Sequence, residues 1–134
     1  MTTGTIFTFG ANSYPNEADG ITYLATLAAQ HAPLYLVDIR SRPSRGPLAW
    51  QQNSLRNRWG HYYLWVTDLC DSNYGTGLPP QLAYPERGVQ ALSRRLRVGQ
   101  NLLLFCACAD PAVCHRMLVA KLLQEAVAES GVKP

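Results

Sequence analysis

No stretch of this 134-residue chain approaches the roughly 18 uncharged apolar residues that a membrane-spanning helix requires. The opening Met-Thr-Thr-Gly-Thr also lacks the basic-then-apolar pattern of a secretory signal. A cytosolic protein with no membrane partner is therefore expected. No Walker loop, G-x-G-x-x-G or H-E-x-x-H motif occurs, which removes the usual sequence grounds for a phosphate-binding loop, a dinucleotide fold or a zincin protease. Repeats, low-complexity tracts and linkers are missing too, so residues 1–134 are expected to form a single domain. Lysine is scarce: arginine supplies ten of the twelve cations, and nine of those arginines lie between Arg40 and Arg97 against only three acids, Asp68, Asp71 and Glu86. Arginine in place of lysine favours planar, bidentate contact with phosphate, sulfate or carboxylate.

What is present centres on Asn101 to Arg116, NLLLFCACADPAVCHR. The apolar run Leu102 to Cys106, bounded by a turn, has the pattern of a strand buried on both faces. Asp110 followed by Pro111 has the pattern of a helix start, an acceptor at the cap and proline in the first turn. A helix over Pro111 to about Glu129 is predicted, with Leu118, Val119, Leu122, Leu123, Ala126 and Val127 as its apolar face. Three of the four cysteines, with His115 and Arg116, thus fall where a buried strand passes to a helix. In open α/β sheets that junction is where ligands bind.

Earlier segments fit the same architecture. Thr5 to Phe9 is predicted as a strand, Asp19 to about His31 as a helix, and Leu34 to Ile39 as a second strand. An arginine-dense loop, Ser41 to Pro47, precedes a predicted helix over Leu48 to Trp59 and a strand over His61 to Thr67. Asp68 to Pro80 is a long turn-rich loop, of the kind that is often functional. Pro85 to Val98 is predicted as a helix with Val89, Leu92 and Leu96 inward, capped by Gly99. The expected fold is an α/β single-domain sandwich, with a mostly parallel four- to five-stranded sheet and helices on both faces.

If the sheet is parallel, the strand ends at Asp38–Arg40 and Cys106–Cys108 open on one edge. The candidate catalytic residues are Cys106, Cys108, Cys114, His115 and Asp38. The candidate anion-binding residues are Arg40, Arg42, Pro43, Ser44, Arg45, Asp110 and Arg116. Each has a competing structural reading: cysteines on a hydrophobic strand pack well, His115 can bridge, and Arg40 can pair with Asp38 or Asp110. Tyr63 and Trp65 share one strand face, so they serve either as core or as a stacking surface for a base. In a cytosolic chain the cysteines are expected to be thiols or ligands rather than disulfides. A zinc or iron–sulfur site is a minor alternative. The spacing C-x-C-x5-C-H is not a usual zinc pattern, and Cys114 and His115, placed side by side on a helix, would diverge by about 100°. Convergence of all four ligands is not expected, and no cofactor is assigned.

The strand end Asp38-Ile39-Arg40 resembles the Asp-x-Arg strand end of rhodanese-like domains, although neither Cys106 nor Cys108 has the short cysteine-to-arginine loop of those enzymes. A broader resemblance is carried by Thr8-Phe9-Gly10, Val37-Asp38-Ile39-Arg40, Pro43-Ser44-Arg45, Gly60 with Tyr63, Leu69, and Cys106 with Asp110-Pro111 and Cys114-His115-Arg116. These residues resemble the family called domain of unknown function 488, whose most specific signature is C-x-E-x-D-P-x-x-C-H-R. The resemblance implies the fold and the place of the site, and no particular reaction. Cys108 stands where that family usually has glutamate, and Cys70 where it usually has glycine. The first departure speaks against a carboxylate acid–base role there and towards thiol or metal chemistry. The leading expectation is a small enzyme that uses a cysteine and an arginine-lined pocket on a nucleotide or nucleic-acid phosphate. The alternative is a non-catalytic module binding such an anion, with structural cysteines.

Overall fold

A computed structural model describes residues 2–108 and 114–132. Four strands, β1 (Ile6–Gly10), β2 (Leu34–Asp38), β3 (Tyr63–Trp65) and β4 (Asn101–Cys106), form one sheet in the order β1-β4-β2-β3. Every pairing is parallel, and the two central strands align Asp38 with Phe105. The central position of β4 accounts for its unbroken apolar sequence, since side chains on both of its faces must be covered. Leu102, Leu103, Leu104 and Phe105 are all fully buried.

The helices are α1 (Glu17–Gln30), α2 (Gln52–Trp59), α3 (Pro85–Arg97) and α4 (His115–Val132). One core packs Leu24 and Leu27 of α1 and Leu55 of α2 against Phe9, Leu36, Leu103 and Phe105. The other packs Leu92 and Leu96 of α3 and Val119 and Leu123 of α4 against Val37, Leu102 and Leu104. Helices therefore cover both faces, and the fold is the α/β sandwich expected from sequence, at the four-strand end of the range. Among the described residues, no helix is long and apolar enough to cross a membrane.

Local chemistry accounts for the boundaries. Asn16 caps α1 by accepting from the Ala18 N–H at 3.0 Å, so the helix starts before Asp19. Gly99, with φ 89°, follows the end of α3, and its N–H reaches the Leu96 carbonyl at 3.0 Å. Three elements differ from expectation. The helix over Leu48 to Trp59 is divided, with a tight turn at Leu48–Trp50 and α2 beginning at Gln52. The strand over His61 to Thr67 shrinks to Tyr63–Trp65 between tight turns at Gly60–Tyr62 and Thr67–Leu69, because an edge strand with one neighbour has little ladder to extend. On α4, Leu118 is 37% exposed whereas His115 and Arg116 are each 4% exposed. The helix presents two polar residues inward, and this rotation carries Leu118 out of the core.

Candidate active site

The central strands β2 and β4 are followed by helices on opposite faces of the sheet, α2 on one and α4 on the other. A crevice beyond their C-terminal ends is the natural place for a ligand in such a fold. A cavity of about 210 Å³ lies there, lined by Arg40, Ser41, Arg42, Arg45, Gly46, Tyr74, Cys106, Ala107, Cys108 and His115. Both strand ends marked out by the sequence thus contribute to one concavity. A larger, apolar cavity of about 720 Å³ lies on the α1–α2 face, away from these residues, and is lined mainly by Ile21, Leu24, Leu34 and Trp59.

Asp38 is completely buried at the end of β2. Its Oδ1 accepts from the Arg40 backbone N–H at 3.1 Å and from Arg40 Nε at 2.9 Å. Its Oδ2 accepts from Arg40 Nη2 at 2.7 Å and from the Tyr63 hydroxyl at 2.6 Å. Arg40 also stacks on Phe105, 4.7 Å from the ring centroid. Asp38 does not line the cavity; it holds Arg40, which does. Burial, reinforced by the Asp38 charge, pushes the Tyr63 hydroxyl well above the usual tyrosine range, so the phenol stays protonated and donating. Trp65, by contrast, is exposed, and its Nε1 donates to the Arg40 carbonyl at 2.9 Å. The two aromatics of one strand face therefore brace the Asp38–Arg40 corner, one from within and one at the surface.

Arg42 and Arg45 are exposed and joined by a turn in which the Arg45 N–H reaches the Arg42 carbonyl at 3.2 Å. Pro43 is buried and its carbonyl accepts from the Gln52 N–H at 2.8 Å, which anchors the loop to α2. Pro43 and Ser44 are not among the residues that line the cavity, so they shape the loop that presents the two arginines. Three arginines of the helices serve the fold. Arg87 pairs with Asp68 at 2.7 Å, Arg95 lies over Tyr35, and Arg58 donates to the Ala49 carbonyl.

On the opposite wall, Cys106 is the last residue of β4 and is 1% exposed, whereas Cys108 lies beyond the strand and is half-buried. Arg116, which is not in the cavity lining, holds this wall from behind. Its Nη1 donates to the Cys108 carbonyl at 2.7 Å and lies 3.4 Å from Cys106 Sγ. Gly10, at the end of β1, makes this approach possible: a Cβ there would collide with the Cys108 carbonyl oxygen and crowd the Arg116 guanidinium.

The expectation that Cys114 and His115 diverge on a helix is not met, because α4 begins at His115 and Cys114 precedes it. The Cys106 and Cys114 sulfurs are joined as a disulfide, against the expectation of thiols or ligands, which holds only for Cys70 and Cys108, and a ring nitrogen of His115 lies within 4.8 Å of both sulfurs. His115 Nε2 is 2.8 Å from the Ile39 carbonyl. A carbonyl only accepts, so Nε2 carries the proton and Nδ1 is left as the basic nitrogen. Burial of the ring lowers its pKa and favours this neutral form. Asp110, and the helix start proposed at Asp110–Pro111, lie outside the described residues.

Sequence reasoning missed Tyr74, which brings the 68–80 loop to the cavity, and the role of Gly10. The loop is held internally: Asp71 Oδ1 accepts from the Asn73 and Gln81 N–H groups, both at 2.9 Å. The signal for Tyr74 was available only as an aromatic within a long glycine-bearing loop.

Residues 72–127 match a family described as DUF488-N3a, Active DUF488-N3 subclade. The matched segment includes Tyr74, α3, β4 and the wall residues Cys106, Cys108 and His115, and does not include Asp38 to Arg45. Neither the curated proteins nor the solved structures contain a match to the chain.

Proposed function

We propose that this chain, whose residues 72–127 match a DUF488-N3 family model, is a small cytosolic enzyme acting on an anionic substrate, a nucleotide or nucleic-acid phosphate. The observation that supports this reading is the single cavity that gathers Arg40, Arg42 and Arg45 on one wall and Cys106, Cys108 and His115 on the other. Arg40 is pre-oriented by Asp38, so it presents to an anion without the entropy cost of fixing a free side chain. Arg42 and Arg45 bring two more guanidinium groups to the mouth. Cys108 is a free, half-buried thiol in this lining and supplies the nucleophile.

The test combines binding with thiol protection. Inorganic phosphate and a mononucleotide are titrated at rising salt, and iodoacetamide labelling of Cys108 is followed by mass spectrometry with and without them. Saturable binding that weakens with salt, falls in the Arg42→Ala/Arg45→Ala variant and protects Cys108 from labelling supports the enzyme. Binding without any protection of Cys108 favours the non-catalytic module. Binding of neither anion overturns both readings.

A further inference from the structure

We propose that Cys106, Cys114 and His115 form a binding site for one zinc-class divalent ion, with its remaining coordination position opening on the arginine-lined cavity. Two sulfurs and a ring nitrogen, contributed by the end of β4, the residue before α4 and the first residue of α4, meet within 4.8 Å of one another. All three residues are buried. Thiolate and imidazole donors together suit zinc and other soft or borderline ions over magnesium or calcium. The Cα atoms of Cys106 and Cys114 are 7.7 Å apart, wider than the roughly 6.8 Å that disulfides usually reach. The two sulfurs are joined as a disulfide in the structure, so the site belongs to the reduced protein, in which both cysteines are thiolates that can turn to a common ion.

The surroundings are those of a ligand set rather than of three packed side chains. His115 donates Nε2–H to the Ile39 carbonyl, the outer contact that fixes the tautomer of a metal-bound histidine and leaves Nδ1 as the donor nitrogen. The Arg116 guanidinium, 3.4 Å from Cys106 Sγ, favours the thiolate form that binds metal. Three protein ligands and one open position distinguish catalytic zinc sites from closed structural ones. Here Cys106 and His115 line the cavity that Arg40, Arg42 and Arg45 face, so a water or an anion oxygen can complete the coordination from that side. Cys108 stands apart from the cluster and remains a free thiol.

The experiment is metal analysis of the full chain purified without chelator, followed by replacement of the bound ion with Co2+ and optical spectroscopy. One equivalent of zinc, and a cobalt derivative with thiolate-to-metal charge transfer and tetrahedral ligand-field bands, are expected. Cys114→Ser and His115→Gln should each lose stoichiometric metal, and Cys108→Ser should keep it. Where a ligand variant fails to fold, the wild-type cobalt spectrum decides alone. A chain that carries no metal and, after mild reduction of its thiols, takes up neither Zn2+ nor Co2+ overturns the proposal; so does metal retained equally by all three variants. The readout is independent of phosphate binding and Cys108 labelling, so failure here and failure of the enzymatic reading are separately visible.

Discussion

At the scale of single residues, Asp38 and Tyr63 carry the most consequence for the least exposed surface. Asp38 satisfies both carboxylate oxygens with Arg40 and Tyr63 in a fully buried corner. Replacing Asp38 with alanine strands a largely buried guanidinium and is expected to cost about 3–5 kcal/mol in a urea unfolding series. It should also weaken the anion binding proposed for this site, because Arg40 loses its orientation. The Tyr63 phenol has its pKa raised by burial and by the neighbouring Asp38 charge. The unfolded chain loses that proton near the ordinary value of 10.0 while the folded chain keeps it. This contribution to stability is therefore intact below pH ~10 and declines as pH rises beyond it. Thermal unfolding across the alkaline range checks this, and Tyr63→Phe should flatten that part of the profile. Gly10→Ala tests the close approach of β1 to the Cys108 carbonyl. Overpacking there is expected to cost about 1–3 kcal/mol and to alter the labelling rate of Cys108, since the loop must shift.

At the scale of elements, β4 and α4 do different work from what their hydrophobicity alone implies. β4 is the central strand, and Leu104 is buried against the α3–α4 layer. Leu104→Ala should therefore destabilise by about 2–5 kcal/mol, read from the shift of the denaturant midpoint. α4 turns His115 and Arg116 inward and leaves Leu118 exposed. Leu118→Gln should accordingly change stability by less than about 0.5 kcal/mol, although the residue was expected on the apolar face. A loss comparable to that of Leu104→Ala would show the helix to be rotated differently. The strands and helices were legible in the sequence because period and capping are local properties. The position of β3 as a short edge strand was not, since its length depends on which neighbours it finds.

At the scale of the whole molecule, one crevice collects residues from Arg40 to His115 in an order that no linear spacing displays. Six of the nine arginines between Arg40 and Arg97 fall into two groups there. Arg40, Arg42 and Arg45 face the cavity, whereas Arg58, Arg87 and Arg95 hold together the helices and their connections. Sequence composition contains the excess but not this division, because which guanidinium finds a carbonyl, a carboxylate or an aromatic ring depends on packing.

By itself, the sequence determined the α/β class, the buried central strand and the two strand ends that border the crevice. It could do so because hydrophobic period, proline and glycine positions, and the alternation of strand and helix act over a few residues at a time. Only the tertiary structure decided that Asp38 holds Arg40 rather than facing the cavity, and that Arg116 braces the cysteine wall from behind. It alone brought Cys114 beside Cys106. Cys114 precedes α4, so the rotation of about 100° per helical residue that appeared to separate it from His115 does not apply. The convergence of two sulfurs and an imidazole follows instead from where the sheet delivers β4 and where α4 begins.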